Sequence, residues 1–173
     1  MKVQKEGRWI HPPAGVLKSN TNGSSKGNLS LAGIGGVGRS SDGRVVFFFS
    51  SFKGVHSNNL MEAVVILHAL EKGCALGWKK IAYESDSQNV IDMLNTHQLE
   101  DANWQLARVI RKKLNLCSSL EYISFSHFPC EWNKVANCLA KWAMENLRRW
   151  NVEDWELLSP NYSCFLAKLI EDD

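Results

Sequence analysis

The chain has 173 residues, 45% of them hydrophobic and 22% charged, which suits a folded domain with a full core and argues against wholesale disorder. The net charge of +2 conceals an asymmetry: residues 1–149 hold nineteen Lys and Arg against twelve Asp and Glu, whereas residues 150–173 hold one Lys against six acids. Such a basic body fits a nucleic-acid partner, and the absence of a long apolar run predicts no membrane span.

The first half of the chain predicts three consecutive strands. Residues 16–22 form the first, and the small and polar residues of 23–28 are typical of a turn. Residues 31–37 form the second strand in spite of their glycines, and Asp42-Gly43 indicates a tight hairpin. The β-branched and aromatic residues 45–49 then form the third strand.

The second half alternates between helical and extended patterns. Apolar residues recur at helical spacing over 57–77, with Ser57 or Asn58 as the N-cap and Gly77 at the C-terminal end. Asp86 or Ser87 caps a later short helix. The remaining elements are a strand over 80–85, helices over 86–95, 104–116 and 133–147, and a strand over 120–127.

This order predicts an α/β fold with a mixed five-stranded sheet, three antiparallel strands first and then two more, and helices on both faces. We expect a polar lead-in over 1–14, one domain over 15–149 and an acidic extension over 150–173 that packs back on the domain. Within that extension, residues 163–170 are a further helix candidate.

Five scattered cysteines, with no CxxC pair or zinc spacing, indicate reduced thiols. The polar start lacks the apolar run of a secretory signal. We therefore expect an intracellular protein, nuclear or cytoplasmic, that is not secreted.

Four polar motifs occur in order along the predicted elements. They are Asn20-Thr21-Asn22-Gly23-Ser24-Ser25-Lys26-Gly27-Asn28, then Ser57-Asn58-Asn59-Leu60-Met61-Glu62-Ala63, then Glu84-Ser85-Asp86-Ser87-Gln88, and finally His127 followed by Asn133-Lys134-Val135-Ala136-Asn137-Cys138-Leu139-Ala140. Together they resemble the four motifs of the ribonuclease H family over residues 9–147. The segments 9–13 and 140–143 look most like the plant domains derived from non-LTR retrotransposons.

The resemblance implies a catalytic set of Asn22, Glu62, Asp86 and Asn137, with His127 assisting. In that family, four carboxylates hold two Mg²⁺ or Mn²⁺ ions for in-line cleavage of a phosphodiester. Here neutral Asn22 and Asn137 stand where the family has Asp, so the formal charge of the site falls from −4 to −2. We expect Glu62 and Asp86 to hold at most one weakly bound ion, and catalysis to be impaired.

The resemblance also implies nucleic-acid contacts. Asn58, Asn59 and Gln88 match family positions that reach the minor groove of an RNA–DNA hybrid, although asparagine there could also be a simple helix cap and Gln88 a surface residue. Gly23 lets the backbone approach a phosphate or ribose. Asp86, Glu62 and His127 each have an ordinary structural alternative as a cap, a solvated charge or a surface histidine.

One face of the helix over 104–116 is basic. Arg108, Arg111 and Lys112 share it at helical spacing, with Lys113 beside them; they either contact phosphates or form a solvated face. We expect Trp104 to pack in the core, with base stacking as the alternative. Core or interface positions are also expected for Trp9, Trp78, Trp132, Trp142, Trp150 and Trp155.

Three functions remain open from the sequence. The first is a binding domain for RNA–DNA hybrid or double-stranded, structured RNA with impaired catalysis. The second is an active metal-dependent endoribonuclease, or an inactivated form of one. The third is a protein-interaction module, motivated by the acidic extension over 150–173, because a fold alone does not fix function.

Overall fold

The computed structural model describes residues 9–25, 30–97, 103–147 and 149–152. Within these ranges the strands are β1 (Leu17–Ser25), β2 (Ser30–Arg39), β3 (Val45–His56), β4 (Lys80–Ser85), β5 (Tyr122–His127) and β6 (Arg149–Val152). The α-helices are α1 (Asn58–Ala75), α2 (Gln88–Thr96), α3 (Trp104–Cys117) and α4 (Lys134–Asn146), preceded by a 3₁₀ turn at Cys130–Trp132.

The strands form one mixed sheet in the order β5-β4-β1-β2-β3-β6. β1, β2 and β3 are antiparallel neighbours, whereas β4 lies parallel to β1 and β5 parallel to β4. The five predicted strands and their mixed pairing are therefore confirmed. β6 adds a sixth strand, antiparallel to β3 and paired with Phe48 to Ser51, so the start of the acidic extension joins the sheet.

Helices cover both faces of the sheet, and alternation along β2 shows how. Ile34 belongs to the core cluster that packs beneath α1. Its neighbours Gly33 and Gly35 face α4 so closely that a Cβ on either would lie 2.5 Å or less from backbone atoms of Ala140. The glycines that weakened the strand pattern are thus what allow α4 to dock.

The main core lies between the sheet and α1, α2 and α3. It includes the fully buried side chains of Leu17, Ile66, Leu70 and Tyr83. The Tyr83 hydroxyl donates to the Ile66 carbonyl oxygen at 2.9 Å, so the polar atom of this buried ring is satisfied. This packing holds α1 against the sheet, where the third motif lies at the end of β4.

Three strands continue beyond their predicted ends, β2 by two residues to Arg39 and the other two by more. β3 was expected to stop at Phe49 but runs on to His56, because Ser50 and Ser51 are buried and the Ser50 hydroxyl donates to the Leu139 carbonyl oxygen at 2.5 Å. β1 likewise extends through Gly23 to Ser25, where a turn was predicted. In β1 the amides of Gly23 and Ser25 donate to the side chains of Glu62 and Asn58, so the predicted turn is replaced by strand. In β3 the buried Ser51 hydroxyl has no hydrogen-bond partner among the described residues.

The helix ends lie at predicted positions, although two of the N-caps lack the side-chain hydrogen bond that a serine cap usually makes. Ser57 and Ser87 hold the N-cap positions of α1 and α2, but neither makes a side-chain cap hydrogen bond. The N-cap at Asn103 does: its Oδ1 accepts from the Leu106 amide at 2.9 Å. Gly77 has a positive φ of 84° just after α1, as a C-terminal glycine should.

The segment ahead of β1 lies against the sheet through Trp9. The Trp9 indole nitrogen donates to Asn20 Oδ1 at 3.0 Å, and the Lys18 and Arg39 cations lie 5.5 and 4.8 Å from its ring. Asn20 Nδ2 and Lys18 Nζ both contact Glu84, at 2.8 and 2.7 Å. This network ties the Trp9 segment to β1 and β4.

None of the helices in the described ranges has the length and apolar character needed to cross a bilayer. The helix predicted over 163–170 lies outside the described residues.

Candidate active site

An open cleft of about 300 Å³ lies where the end of β1, the start of α1 and the residues after β4 meet. β1 and β4 are parallel neighbours, so the chain leaves both strands at the same edge of the sheet. The cleft is lined by Gly23, Ser24, Ser25, Asn58, Asn59, Glu62, Asp86 and Ser87. Residues from the first three motifs are therefore brought together, as predicted.

Glu62 is held at the base of this cleft with only 8% of its surface exposed. Its Oε1 accepts from the Gly23 amide at 3.1 Å and its Oε2 from the Ser85 hydroxyl at 3.3 Å. A Cβ on Gly23 would lie 2.4 Å from the Met61 carbonyl carbon, so only glycine lets β1 approach α1 this closely. The close approach expected of Gly23 toward a ligand is thus already used within the protein.

The two retained carboxylates sit in an environment that disfavours charge. Burial, followed by repulsion from Asp86, raises the pKa of Glu62 to about 8. Burial also raises the pKa of Asp86, against smaller lowering effects from a Cys130 hydrogen bond and the nearby His127. A bound proton or a cation would relieve this strain, as expected for a carboxylate pair that has a functional role.

The fourth motif reaches the same region through α4. Asn133, at the N-terminus of α4, is buried, and its Nδ2 donates to the Thr21 carbonyl oxygen, next to Asn22, at 2.8 Å. One turn on, Asn137 Nδ2 donates to the Cys130 carbonyl oxygen at 3.0 Å and lies 3.4 Å from Cys130 Sγ. Asn22 is itself buried.

Cys130 was not singled out from the sequence. Its thiol hydrogen-bonds with both Asp86 and Asn137, and the net effect of its surroundings, burial first, is to raise its pKa. Asn133 was also missed as an anchor for α4. Neither role had a sequence signal, because each depends on a contact between segments far apart in the chain.

A two-ion site does not fit the residues present. Across the described ranges, no group of three or more His, Cys, Asp and Glu side chains is placed to hold a metal. The donor set at the cleft comprises two carboxylates, and the Asn137 amide nitrogen is already committed to Cys130. Glu62 and Asp86 together fit one hard divalent cation such as Mg²⁺ or Mn²⁺.

The predicted groove-contacting residues differ in their surroundings. Asn58 and Asn59 are exposed and line the cleft, and Asn58 Oδ1 accepts from the Ser25 amide at 2.8 Å. The Asn58 side chain therefore links β1 to α1 by a hydrogen bond and is not the helix cap. Gln88 is exposed but does not line the cleft; its Nε2 donates to Asp92 Oδ1 at 2.7 Å.

The basic helix face is only partly as predicted. Arg108, Arg111 and Lys112 are exposed on α3, and Lys112 Nζ pairs with Glu71 at 2.9 Å. Lys113 turns inward instead: its Nζ lies 3.6 Å from the centre of the Phe125 ring, and burial lowers its pKa to about 8. The core position expected for Trp104 is wrong, since 71% of this residue is exposed.

The fold and the cleft together define a ribonuclease H-like α/β domain. A family model described as reverse transcriptase-like matches residues 20–143, more than half of the chain. The chain therefore belongs to the reverse transcriptase-like family of ribonuclease H-like domains.

Sequence comparison finds two relatives. An Arabidopsis thaliana protein named provisionally as a ribonuclease H protein is 29% identical over 146 residues, covering 82% of this chain and 23% of that protein. Ribonuclease HI of Halobacterium salinarum is 30% identical over 132 residues, covering 76% of this chain and 66% of that protein. The chain thus spans less than two thirds of either relative.

Structural comparison agrees with the family. RNase H1 from Halobacterium salinarum NRC-1 superposes with a TM-score of 0.71 at 27% identity, over 76% of this chain and 98% of that one. LC11-RNase H1 in complex with an RNA/DNA hybrid superposes with a TM-score of 0.70 at 23% identity, over 76% of this chain and 98% of that one, a likeness that shows the fold alone.

Proposed function

We propose that this domain binds RNA–DNA hybrid or structured RNA and that its cleavage activity is impaired. One observation carries the proposal: the cleft places polar, exposed Asn58 and Asn59 beside Glu62 and Asp86, while Asn22 and Asn137 supply amides in place of two carboxylates. The surface that meets a nucleic acid is thus retained where the metal-binding set is reduced.

Recognition of a duplex would rest on amide and backbone groups. Asn59 offers a donor and an acceptor at the cleft mouth, which can contact base edges in a minor groove without strict sequence choice. Ribose 2′-hydroxyls distinguish RNA from DNA and are bonded by the same kinds of group. Arg108 and Arg111, exposed on α3, are suited to phosphates.

The reduced metal set accounts for the impaired cleavage. Glu62 and Asp86 would hold one divalent cation, which when bound would stabilise negative charge on a phosphate. Asn22 and Asn137 offer amide oxygens that bring a dipole but no charge. A rate loss of about 10³ requires only about 4 kcal/mol of lost barrier stabilisation, which the loss of two carboxylates can supply.

The test compares the native chain with an Asn22→Asp, Asn137→Asp double variant. The native chain should bind a blunt hybrid without appreciable cleavage in Mg²⁺ or Mn²⁺. The double variant should bind Mn²⁺ more tightly by calorimetry and gain at least about a hundredfold in RNA-strand cleavage. A triple variant that adds Glu62→Gln is the matched control and should lose that gain.

Three outcomes would contradict the proposal. Failure of the native chain to bind hybrid or structured RNA at low salt removes the binding function. Efficient cleavage by the native chain favours the active endonuclease instead. A double variant that binds Mn²⁺ but stays inert shows that impairment has a cause other than the two amides.

Two further proposals concern the location of the protein and its acidic extension. The described cysteines at 74, 117, 130 and 138 are free thiols, which supports a nuclear or cytoplasmic location. The acidic extension keeps its candidate role as a protein-interaction segment; β6 uses its first residues for pairing with β3.

A further inference from the structure

We propose that a second groove, between α1, α3 and the end of β3, binds an unpaired single-stranded nucleotide segment that continues from a hybrid in the cleft. This inference rests on the proposed function, and it narrows the substrate to duplexes with a single-stranded extension. The groove has a volume of about 380 Å³, and its lining differs chemically from that of the cleft.

The floor of the groove is apolar and its rim is basic. Leu60, Val64 and Leu67 of α1 form the floor. Arg108 and Lys112 of α3 lie at the side, with Trp104 at the end where α3 begins. An apolar floor suits the faces of bases, and flanking cations suit the phosphates that connect them.

Trp104 is the feature that most needs an explanation. It is 71% exposed, although a large aromatic side chain is normally covered. The hydrogen bond from the Leu106 amide to Asn103 Oδ1 fixes the first turn of α3, so the backbone that carries the indole is held in place. An exposed indole on a fixed helix terminus is suited to stacking with a base.

An unpaired strand fits better than a second stretch of duplex. Bases within a duplex are stacked on each other and present only edges, sugars and phosphates to a protein. An apolar floor and an aromatic face gain little from those groups, whereas an unpaired base can bury its face against both. Lys112 pairs with Glu71, but the lining of the groove also holds Lys53 and Arg108 and no acidic side chain, so the groove is complementary to an anionic strand.

The first turns of α1 connect the groove to the cleft. Asn59 and Glu62 line the cleft, whereas Leu60 and Met61, which lie between them in sequence, line the groove. A strand leaving the cleft therefore meets the groove after crossing the width of one helix, about 10 Å.

The experiment measures fluorescence anisotropy with labelled ligands in chelator. The ligands are a blunt hybrid, the same hybrid with a single-stranded DNA extension of about six nucleotides at either end, and the extended hybrid with abasic sites in the extension. The variants are Trp104→Ala, Trp104→Phe and, as a matched control, Tyr122→Ala, which removes an aromatic side chain that is 48% exposed on β5.

For the native chain, the extension should tighten binding about five- to thirtyfold at one of the two ends. Trp104→Ala should abolish this gain and leave affinity for the blunt hybrid within about twofold, whereas Trp104→Phe should keep most of the gain because it can still stack. Abasic sites should abolish the gain for the native chain, and Tyr122→Ala should change nothing.

The inference is overturned if the extension brings no gain, or if the gain survives Trp104→Ala or abasic sites. It is also overturned if an acidic peptide, which has no bases to stack, displaces the single-stranded extension from the protein. The groove would then be a protein-docking surface. Hybrid binding without a gain leaves the proposed function standing. Trp104-dependent binding of the free single strand, without hybrid binding, removes the proposed function and keeps the groove.

Discussion

Asn137 has a structural role of its own at a position where the family resemblance implies a carboxylate. Its Nδ2 donates to the Cys130 carbonyl oxygen and lies close to the Cys130 thiol. An ionised carboxylate at this position has no donor and could not make the bond to the carbonyl oxygen. Its Oδ1 is buried and has no hydrogen-bond partner among the described residues. The Asn137 amide therefore ties α4 to the 3₁₀ turn, at a position where the family resemblance implies a metal ligand.

This role predicts a cost for restoring the carboxylate alone. In chelator, Asn137→Asp should lower the free energy of unfolding by about 1–3 kcal/mol, because the Cys130 carbonyl oxygen loses its donor and a charge replaces an amide whose Oδ1 is buried without a hydrogen-bond partner among the described residues. Asn146→Asp is the matched control: it makes the same change in the same helix, where the exposed amide donates to the Trp142 carbonyl oxygen. Chemical denaturation measures both. Equal losses would show that the Cys130 contacts contribute nothing particular.

Glu62 predicts a distinct dependence of stability on pH. Its pKa is raised from 4.5 to about 8 in the folded protein, so the folded state holds an extra proton between these values. In chelator, the Glu62 contribution to stability is complete below about pH 4.5 and is lost as pH rises through about 8, by an amount on the order of a few kcal/mol.

Glu62→Gln should flatten this part of the profile, because the amide stays neutral and can still accept from the Gly23 amide. Urea unfolding at intervals from pH 4.5 to 9 gives the slope. Glu121→Gln, at an exposed carboxylate, should leave the native slope in place. A native profile with the same slope as Glu62→Gln would contradict the argument.

Single residues were predictable where a motif fixed them and much less so elsewhere. Glu62 and Asp86 line one cleft as expected. Trp104 was expected in the core but is exposed, and Lys113 was expected beside the basic face but is buried. Helical spacing gives the angle between two side chains, but it does not show which face of the helix the neighbouring elements cover. Lys113 is buried against Phe125 of β5, a contact that the spacing within α3 does not reveal.

At the scale of elements, β2 and α4 pack closely because the contacting residues of β2 are glycines, which have no side chain. A Cβ on Gly35 would lie 2.4 Å from the Ala140 amide nitrogen and 2.6 Å from Leu139 Cβ. Because backbone cannot yield as a flexible side chain can, α4 would have to move. Asn133 and Asn137 lie on α4 or at its start, so the position of both asparagines depends on these glycines.

Gly35→Ala should therefore destabilise the fold by about 1–3 kcal/mol. Gly73→Ala makes the same change inside α1, where the new Cβ would meet only the side-chain ends of Ile81 and Leu17 and the helix gains in propensity. It should cost clearly less. Denaturant midpoints compare the two, and equal effects would argue against a tight backbone contact at Gly35.

The elements with strong local signals were predicted almost to the residue. β4 runs over Lys80–Ser85 as expected, because alternating buried positions and a following cap define it locally. The end of β3 was missed by seven residues, since nothing local to Ser50 and Ser51 indicates that both are buried and that the Ser50 hydroxyl donates to the Leu139 carbonyl oxygen. Non-local partners thus decided the boundaries that composition could not.

For the molecule as a whole, charge distribution predicts how binding responds to salt. Arg108 and Arg111 are exposed on α3, and Arg108 lines the groove between α3 and α1. If Arg108 contacts a phosphate, Arg108→Ala should weaken hybrid binding and reduce the slope of log affinity against log salt by about one. Titrations over a range of KCl concentrations measure this slope.

Lys80→Ala is the matched control for Arg108→Ala. Lys80 begins β4, at the end of the strand far from Asp86, and pairs with Glu121 at 3.9 Å. Its loss removes one positive charge from the molecule without touching the groove or cleft. A slope that changes equally in both variants would show that net charge alone, and not contact at α3, governs binding.

Assembly of the candidate site was predictable only as far as the four motifs and a mixed sheet, and not which strands pair. The parallel pairing of β1 and β4 brings three of the motifs to one edge of the sheet. The fourth motif arrives through Asn133 and its bond to the Thr21 carbonyl oxygen. The second groove had no sequence signal, because it forms from one face each of two helices and a strand whose length was underestimated.

The pairing of β6 with β3 also covers an edge of the sheet. Without β6, the hydrogen-bonding edge of Phe48 to Ser51 in β3 would be open to solvent beside a run of three phenylalanines. An uncovered strand edge of this kind is a template onto which another copy can add its own strand and seed aggregates. Arg149 and the first three residues of the acidic extension thus occupy the hydrogen-bonding groups of β3 that such an added strand would need.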